Sequence, residues 1–558
     1  MRLDDHLAQP HSDTASIADT PASTQSITPS ARTQQHATPM TASVWARRRL
    51  PLLALVFVGG MVSLGIEMCG PRLMAPYFGT SLFIWANQIG FTLIYLSLGY
   101  YIGGRLVDRY PSPRLLCALT AVAGVFTGLI PFLSTPILDW SVSGLDNVNA
   151  SVFISSLEGV VLLFSVPTIL LGMVSPFAIR LSMNEVGSAG RSAGDLYALS
   201  TVGSIIGAFL PVLVLIPDWG VRRTLFGGCV VLIAASLWGL RLPERVAAAI
   251  PAVILLVPLL APQVAPLGPL KSEPGLIYYQ ESQYNYIQVV REGNGTTALV
   301  LNEGQAIHSV YNPNQLLTGW YWDYFLAAPY FNPGPAAGQV HRMAIIGLAA
   351  GTIARQFSAV YPDVQIDGVE IDPSIVAVGR RYFAMNEPNL HVTVADGRTF
   401  MRVTKQQYDV VAIDAFQQPY IPFQLTTKEF FQEIRAHMSP NGVLCLNTGH
   451  TRTDYRLAQA FINTLSQVFP GVFVFNVPNT FNTEIMATMR PTTLTTLRDN
   501  LSRVSLTSDV MTTVAGEVLP VAQVGHSQKN GIVFTDDQAP VEQLTDQLLL
   551  DYINANAH

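Results

Sequence analysis

MAIIGLAAGT, residues 343–352, is the stretch on which the reading of the chain turns. An apolar run from Met343 breaks at Gly347 and becomes helical near Thr352, as a buried strand does when it hands over to a helix. QIDGVEID (365–372) is a second such strand and ends in Glu370 and Asp372; HVTVADG (391–397) ends in Asp396 and YDVVAIDAF (408–416) reaches Asp414. In a doubly wound sheet, ligands bind outside the carboxyl ends of the strands, so these acids are expected to converge on one crevice around the glycine turn. Taken singly, each acid also looks like the N-cap of a following helix. Four of them at successive strand ends point to a site.

A nucleoside needs such a turn. Gly347 and Gly351 let the backbone approach a ligand, and Glu370, about 20 residues on, can accept both ribose hydroxyls. Asp396, followed by Gly397, is placed to accept a hydrogen bond from an exocyclic adenine amine. The turn is GLAAG rather than GxGxxG, so by itself it specifies little.

Around this stretch the composition divides. The 558 residues carry a net charge of -6 with only 13% charged side chains, and the mean hydropathy is +0.32. That charge gives no sign of nucleic-acid binding. The apolar excess lies between Leu50 and Leu270, in seven runs near 50–69, 80–103, 114–135, 152–179, 195–216, 223–240 and 247–267, each of roughly the 20 residues that span a bilayer. The fourth is long enough to tilt or to bend at Pro167. Residues 1–44, rich in Ser, Thr, Gln and Pro, read as a disordered tail, so the expected domains are this tail, a multi-span helical membrane domain (45–270), a small β-rich subdomain (276–335) and a doubly wound α/β domain (336–558). Cys69, Cys117, Cys229 and Cys445 are scattered and make neither a metal motif nor a disulfide framework.

Basic loop residues set the expected orientation. Arg47 to Arg49, Arg105, Arg109, Arg114, Arg180, Arg191, Arg241 and Arg245 fall on one side, and Arg72, Arg222 and Arg223 on the other. With seven spans the α/β domain is then expected outside the cytoplasm. Glu67 and Arg72 lie close to membrane depth, either paired for a function or snorkelling into headgroups.

The motif order resembles a known family. ESQYNYIQV (281–289), LNEGQAIHS (301–309), WYWDYFLAAP (320–329), GLAAGT, VEID, ADGR and IDAF follow one another as in the spermidine synthases, the polyamine aminopropyltransferases, here in a membrane-fused form. The resemblance implies a small β domain followed by a Rossmann-like domain of the S-adenosylmethionine methyltransferase type. It further implies decarboxylated S-adenosylmethionine, or S-adenosylmethionine itself, as co-substrate without a metal, an amine acceptor and release of methylthioadenosine. A homodimer is allowed.

By the same resemblance, Glu370 matches the ribose-binding acid, Asp396 and Gly397 the adenine-binding pair, and Asp414 the acid that removes a proton from the attacking amine. Asn285 stands near the cofactor in place of a Gln. Tyr321, Trp322 and Asp323 match the segment bordering the amine site, with Trp322 replacing a His or Gln. His308, Gln417 and Pro422 complete the substrate side. Two acids are missing: the turn carries Ala349 and Ala350 where an acid meets the aminopropyl ammonium, and Gln417 replaces a second carboxylate. A dication is therefore expected to bind poorly. Three functions remain open: aminopropyl transfer, another S-adenosylmethionine reaction (methyl transfer, or cyclisation or cleavage of the cofactor), and a transporter or sensor that binds an adenosyl ligand or polyamine without turnover. Because S-adenosylmethionine is made in the cytoplasm, cofactor supply favours a cytoplasmic domain while loop charge favours an external one.

Overall fold

The computed structural model describes residues 42–79, 82–147, 152–182, 189–240, 268–302, 306–416 and 420–556. The chain divides into Met1–Arg48, described only from Ala42, and one compact unit, Arg49–His558. The expected tail therefore lies outside the described residues up to position 41.

The apolar half is helical: α1 (Ala42–Phe78), α2 (Leu82–Arg109), α3 (Pro113–Asn147), α4 (Val152–Gly172), α5 (Val174–Ser182), α6 (Ala189–Leu210), α7 (Ile216–Trp219) and α8 (Val221–Gly239). A π-helical turn at Pro211–Leu215 joins α6 to α7. Among the described residues, five stretches are long and apolar enough to cross a membrane: Leu50–Phe78, Pro113–Ser141, Ser156–Ser182, Gly190–Trp219 and Val221–Gly239. The run near 80–103 is α2, a helix of 28 residues that is not among the five. The run at 247–267 lies outside the described residues. Helix α4 continues through Pro167 and breaks at Met173. Pro176 explains the position, because a proline removes the bond to the carbonyl four residues back, here Gly172.

Among the described residues, the α/β half contains two sheets. β1 (Leu276–Glu281), β2 (Tyr286–Arg291), β3 (Thr297–Leu301) and β4 (Ile307–Tyr311) form an antiparallel meander. The second sheet uses β5 (Arg342–Ile346), β6 (Gln365–Glu370), β7 (Leu390–Val394), β8 (Tyr408–Ile413), β9 (Met438–Gly449), β10 (Gly471–Asn476), β11 (Asn482–Thr488) and β12 (Ala522–Val524). Its order is β12-β10-β11-β9-β8-β5-β6-β7, parallel from β7 to β9, with β11 running antiparallel between β9 and β10. This is a Rossmann-like sheet of the methyltransferase type, and its strand order reverses between β5 and β8, where such sheets open a crevice.

The two faces of the sheet are covered differently. Val410, Ala412, Val443, Cys445, Phe473, Phe475 and Met486 share one core with the 3-10 segment Tyr321–Phe331. Val411, Ile413, Leu444, Leu446, Ile485 and Ala487 face the other core. The β-rich subdomain was expected to reach residue 335. It ends earlier, because every residue of Tyr321–Phe331 is buried and the segment packs on the large sheet.

Candidate active site

Glycine is required where β5 ends. Gly347 has φ +85°, and a Cβ there would lie 2.5 Å from the Asp414 carbonyl oxygen. The N–H groups of Gly347 and Leu348 both donate to the Val369 carbonyl at 3.0 Å, which ties the turn to the end of β6. Glu370 then accepts the Ala349 N–H on Oε2 at 2.9 Å and the Asp372 N–H on Oε1 at 3.0 Å. Each carboxylate oxygen keeps a lone pair for a further donor. Burial pushes Glu370 up to about 7, against the downward pull of those two N–H bonds.

The neighbouring acids Asp372 and Asp396 each cap the helix that follows. Asp372 caps the helix Pro373–Tyr382 through the Ser374 N–H at 2.9 Å and also accepts the Ser282 hydroxyl and, at 3.1 Å, the Asn285 amide. Asn285 in turn accepts from Asn302 at 3.0 Å. Asp396 caps Gly397–Val403 through the Thr399 N–H at 2.8 Å, using one oxygen. A Cβ on Gly397 would collide with Ile346. Gly351, at φ +91°, opens the helix Thr352–Val360, and the Ser309 hydroxyl, unmarked by the sequence reading, accepts the Ala350 N–H at 2.9 Å.

On the other side of Gly347 stands Asp414, partly exposed, its own N–H bonded to the Ile346 carbonyl at 2.9 Å. Its Oδ2 accepts the Tyr321 hydroxyl at 3.2 Å and the Trp322 indole N–H at 3.1 Å, and its Oδ1 accepts the Asn447 amide at 3.0 Å. Burial of the carboxyl outweighs the three donors and pushes it up to about 6. Burial and then the Asp414 charge hold the Tyr321 hydroxyl well above its usual range, so it remains a donor. The Trp320 and Trp322 rings stack with centroids 5.9 Å apart.

Some expected substrate-side residues do other work. Asp323 is fully buried and accepts the Thr318 N–H and hydroxyl, the Gly319 N–H and the Gln356 amide. It holds the loop before the 3-10 segment, because consecutive residues there point in different directions and only Tyr321 and Trp322 reach Asp414. His308 lies on β4 beside Ser309, and it is Ser309 that meets the turn. Pro422 precedes the short turn Phe423–Leu425, whose Leu425 packs near Gly397. Gln417 lies outside the described residues. A concavity of ≈ 160 Å³ lined by Asn312, Thr318, Trp320 and Arg355 contains none of the four strand-end acids.

The crevice is braced from the helical half. Arg72 of α1 donates through Nη1 to the Tyr284 carbonyl at 2.8 Å and through Nη2 to the Gln283 carbonyl, on the turn between β1 and β2. Glu281, just before that turn, accepts the Val221 N–H at the start of α8 at 2.9 Å. Burial pushes Glu281 up to about 7, against the pull of that N–H. Arg222 donates to the Gly268 and Pro269 carbonyls at 3.3 Å. One turn, 281–285, is therefore held by helices on one side and holds Asp372 on the other.

The chain is similar in sequence to known proteins over this region. Residues 333–498 match the family described as spermine/spermidine synthase domain. The chain is 32% identical over 298 residues to a probable polyamine aminopropyl transferase of Bifidobacterium longum, covering 50% of this chain and 65% of that protein. It is 33% identical over 168 residues to a polyamine aminopropyltransferase of Vibrio vulnificus, covering 29% of this chain and 54% of that protein. The match thus spans between half and two thirds of these relatives. A crystal structure of a probable spermidine synthase from Corynebacterium glutamicum superposes with a TM-score of 0.38 at 20% identity, over 48% of this chain and 97% of that one. Residues 333–498 match the spermine/spermidine synthase domain, and the chain resembles the spermidine synthases over that region.

Proposed function

We propose that the chain is a membrane-bound aminopropyltransferase, moving the aminopropyl group of decarboxylated S-adenosylmethionine to an amine and releasing methylthioadenosine. The observation that carries this reading is the placement of Glu370 and Asp414 on strands flanking β5, either side of the Gly347 turn. The donor's ribose fits Glu370, whose oxygens are each fixed by one N–H and can each accept one hydroxyl. Asn285, Gly351, Asp396 and Gly397 border that half. At the other half Asp414 accepts a proton from the ammonium of the acceptor. The freed amine attacks the methylene carbon next to the sulfonium, a C–N bond forms, and the C–S electron pair returns to sulfur as the neutral thioether. A carboxyl poised near 6 suits this, being mostly ionised at neutral pH yet able to take a proton.

A second reading, reaction of intact S-adenosylmethionine, is favoured by one feature: the turn carries Ala349 and Ala350 and no acid for the donor's ammonium. Purified protein incubated with either donor and a panel of amines tests both. Methylthioadenosine with an aminopropylated amine is the expected outcome. S-adenosylhomocysteine would replace the first reading by the second, and binding without product would replace both by a sensor or transporter.

For location, we place the α/β domain outside the cytoplasm. It docks on the bundle end that carries Arg72 and Arg222, while Arg105, Arg109, Arg114 and Arg180 lie at the far ends of their helices. Helix α8 carries the chain from Arg222 to Gly239, which abuts Cys117 and Leu55, yet Gly268 is again beside Arg222. Labelling of Lys405→Cys by an impermeant maleimide in intact cells, in a cysteine-free background, is the expected result. Labelling only after lysis would put the domain in the cytoplasm.

A further inference from the structure

Beside Asp414 lies a carboxyl that neither the motifs nor the proposed mechanism uses. Strand pairing sets Ile413 opposite Leu446, so Asp414 and Asn447 come next in the same row, and Asn447 is paired with Glu484 on β11. Beyond it comes Phe475. By alternation Asn447 and Glu484 share the face of Cys445 and Met486, the face roofed by the 3-10 segment that supplies Tyr321 and Trp322. Glu484 is fully buried, and neither of its oxygens has a hydrogen-bond partner among the described residues. Among the described residues, the titratable groups facing it are Asp414 from β8, Tyr321 and Tyr324 from the roof, and Cys445 from β9. Not one is a cation.

A carboxyl in that position costs the free protein its full desolvation, and an isosteric amide or an apolar side chain would be easier to bury. What it gains is a place for one positive charge, since a buried carboxylate is tolerable when paired. Two strand spacings separate residues 414 and 484, roughly 9 to 10 Å between backbones, with both side chains on one face. Asn447 lies between them and already donates to Asp414.

We propose that Glu484 is the second anchor of the amine site, binding the distal ammonium of a short aliphatic diamine whose reacting nitrogen is held at Asp414. This rests on the aminopropyl-acceptor reading of Asp414 and reverses the expectation that the missing acids make a dication a poor substrate. The charge lost from the Gly turn and from position 417 reappears on a different strand. Tyr321, which bonds Asp414 and faces Glu484, is the side chain a diamine must pass or displace.

The test compares putrescine with propylamine, which lacks the distal charge, as acceptors for decarboxylated S-adenosylmethionine, following methylthioadenosine. In Glu484→Gln, KM for putrescine should rise about 10- to 100-fold, the loss of one charge-assisted hydrogen bond. Its kcat, and both constants for propylamine, should stay within about twofold, because only uniform binding is removed. Glu484→Asp should recover part of the putrescine KM. Equal changes for both acceptors, or no change, would overturn the proposal. Should the wild-type protein turn over no amine, the transfer reaction fails separately. Calorimetric titration of putrescine in the presence of methylthioadenosine then reads the anchor alone, with binding expected in wild type and weakened in Glu484→Gln. Absent or unchanged binding would overturn the anchor. If Glu484→Gln does not fold, Glu484→Met is the charge-free variant for the same comparisons.

Discussion

In the half of the crevice proposed for the nucleoside Glu370, Asp372 and Asp396 each accept at least one backbone N–H, whereas in the half proposed for the amine Asp414 is met by three side chains and Glu484 by none among the described residues. Backbone donors are fixed by the turn itself and tolerate sequence change around them. Side-chain donors are not. The first half can therefore persist across enzymes that share an adenosyl ligand, while the second is free to change its acceptor by changing a few residues.

The sharpest break of this comparison is Asp414→Asn. Turnover should fall about 100- to 10,000-fold, as for loss of a general base, while calorimetry finds adenosyl-ligand affinity little changed. A matching loss of affinity would mean the halves are not separate. Next, Glu370→Ala should weaken adenosyl-ligand binding by about 1.5–3 kcal/mol, the range for hydrogen bonds to a charged group, with the amine KM unmoved. An unaltered dissociation constant would move the nucleoside out of this crevice.

A pH profile refines the amine half. Asp414 must be ionised to accept a proton, so kcat/KM should rise with pH through a midpoint near about 6. The Asn447 amide favours the ionised form, so Asn447→Ala should move that midpoint upward; a downward move would assign the limb to another group. The smallest expected effect is that of Arg72→Met, which touches neither ligand. Losing the clamp on the Gln283 and Tyr284 carbonyls should weaken adenosyl-ligand binding by about 0.5–1.5 kcal/mol and leave the propylamine KM alone. An effect confined to the amine would break the link between α1 and Asp372.

The contrast between the halves also explains what could be read from the sequence. Strands β5, β6 and β8 and their terminal acids show as apolar runs ending at polar residues, and the N–H donors follow from the turn, so the strand-end positions of Glu370, Asp372 and Asp414 are legible in the sequence. Asn447 and Glu484 were not, because they become neighbours only when β11 inserts antiparallel between β9 and β10, an order that no local pattern encodes. Asp323 misled for a related reason: adjacent residues of a 3-10 segment diverge, and sharing a motif with Tyr321 does not mean sharing its direction. Pro167 does not interrupt α4, because a helix can run through one proline, whereas Gly172 and Pro176 together end it.

The grip of Arg72 and Val221 on residues 281–284 bears on how this chain can be taken apart. In an ordinary fusion each module keeps a finished surface and can be recombined with a new anchor. Here the Glu281 carboxylate and two carbonyls of the β1–β2 turn find their donors on α1 and α8, directly behind the residues that support Asp372 and, through it, Glu370. A fragment starting at Gly268 would inherit the sheet but an unfinished wall behind its nucleoside site. The helices and the sheet must then be transplanted, and must drift in sequence, as one piece.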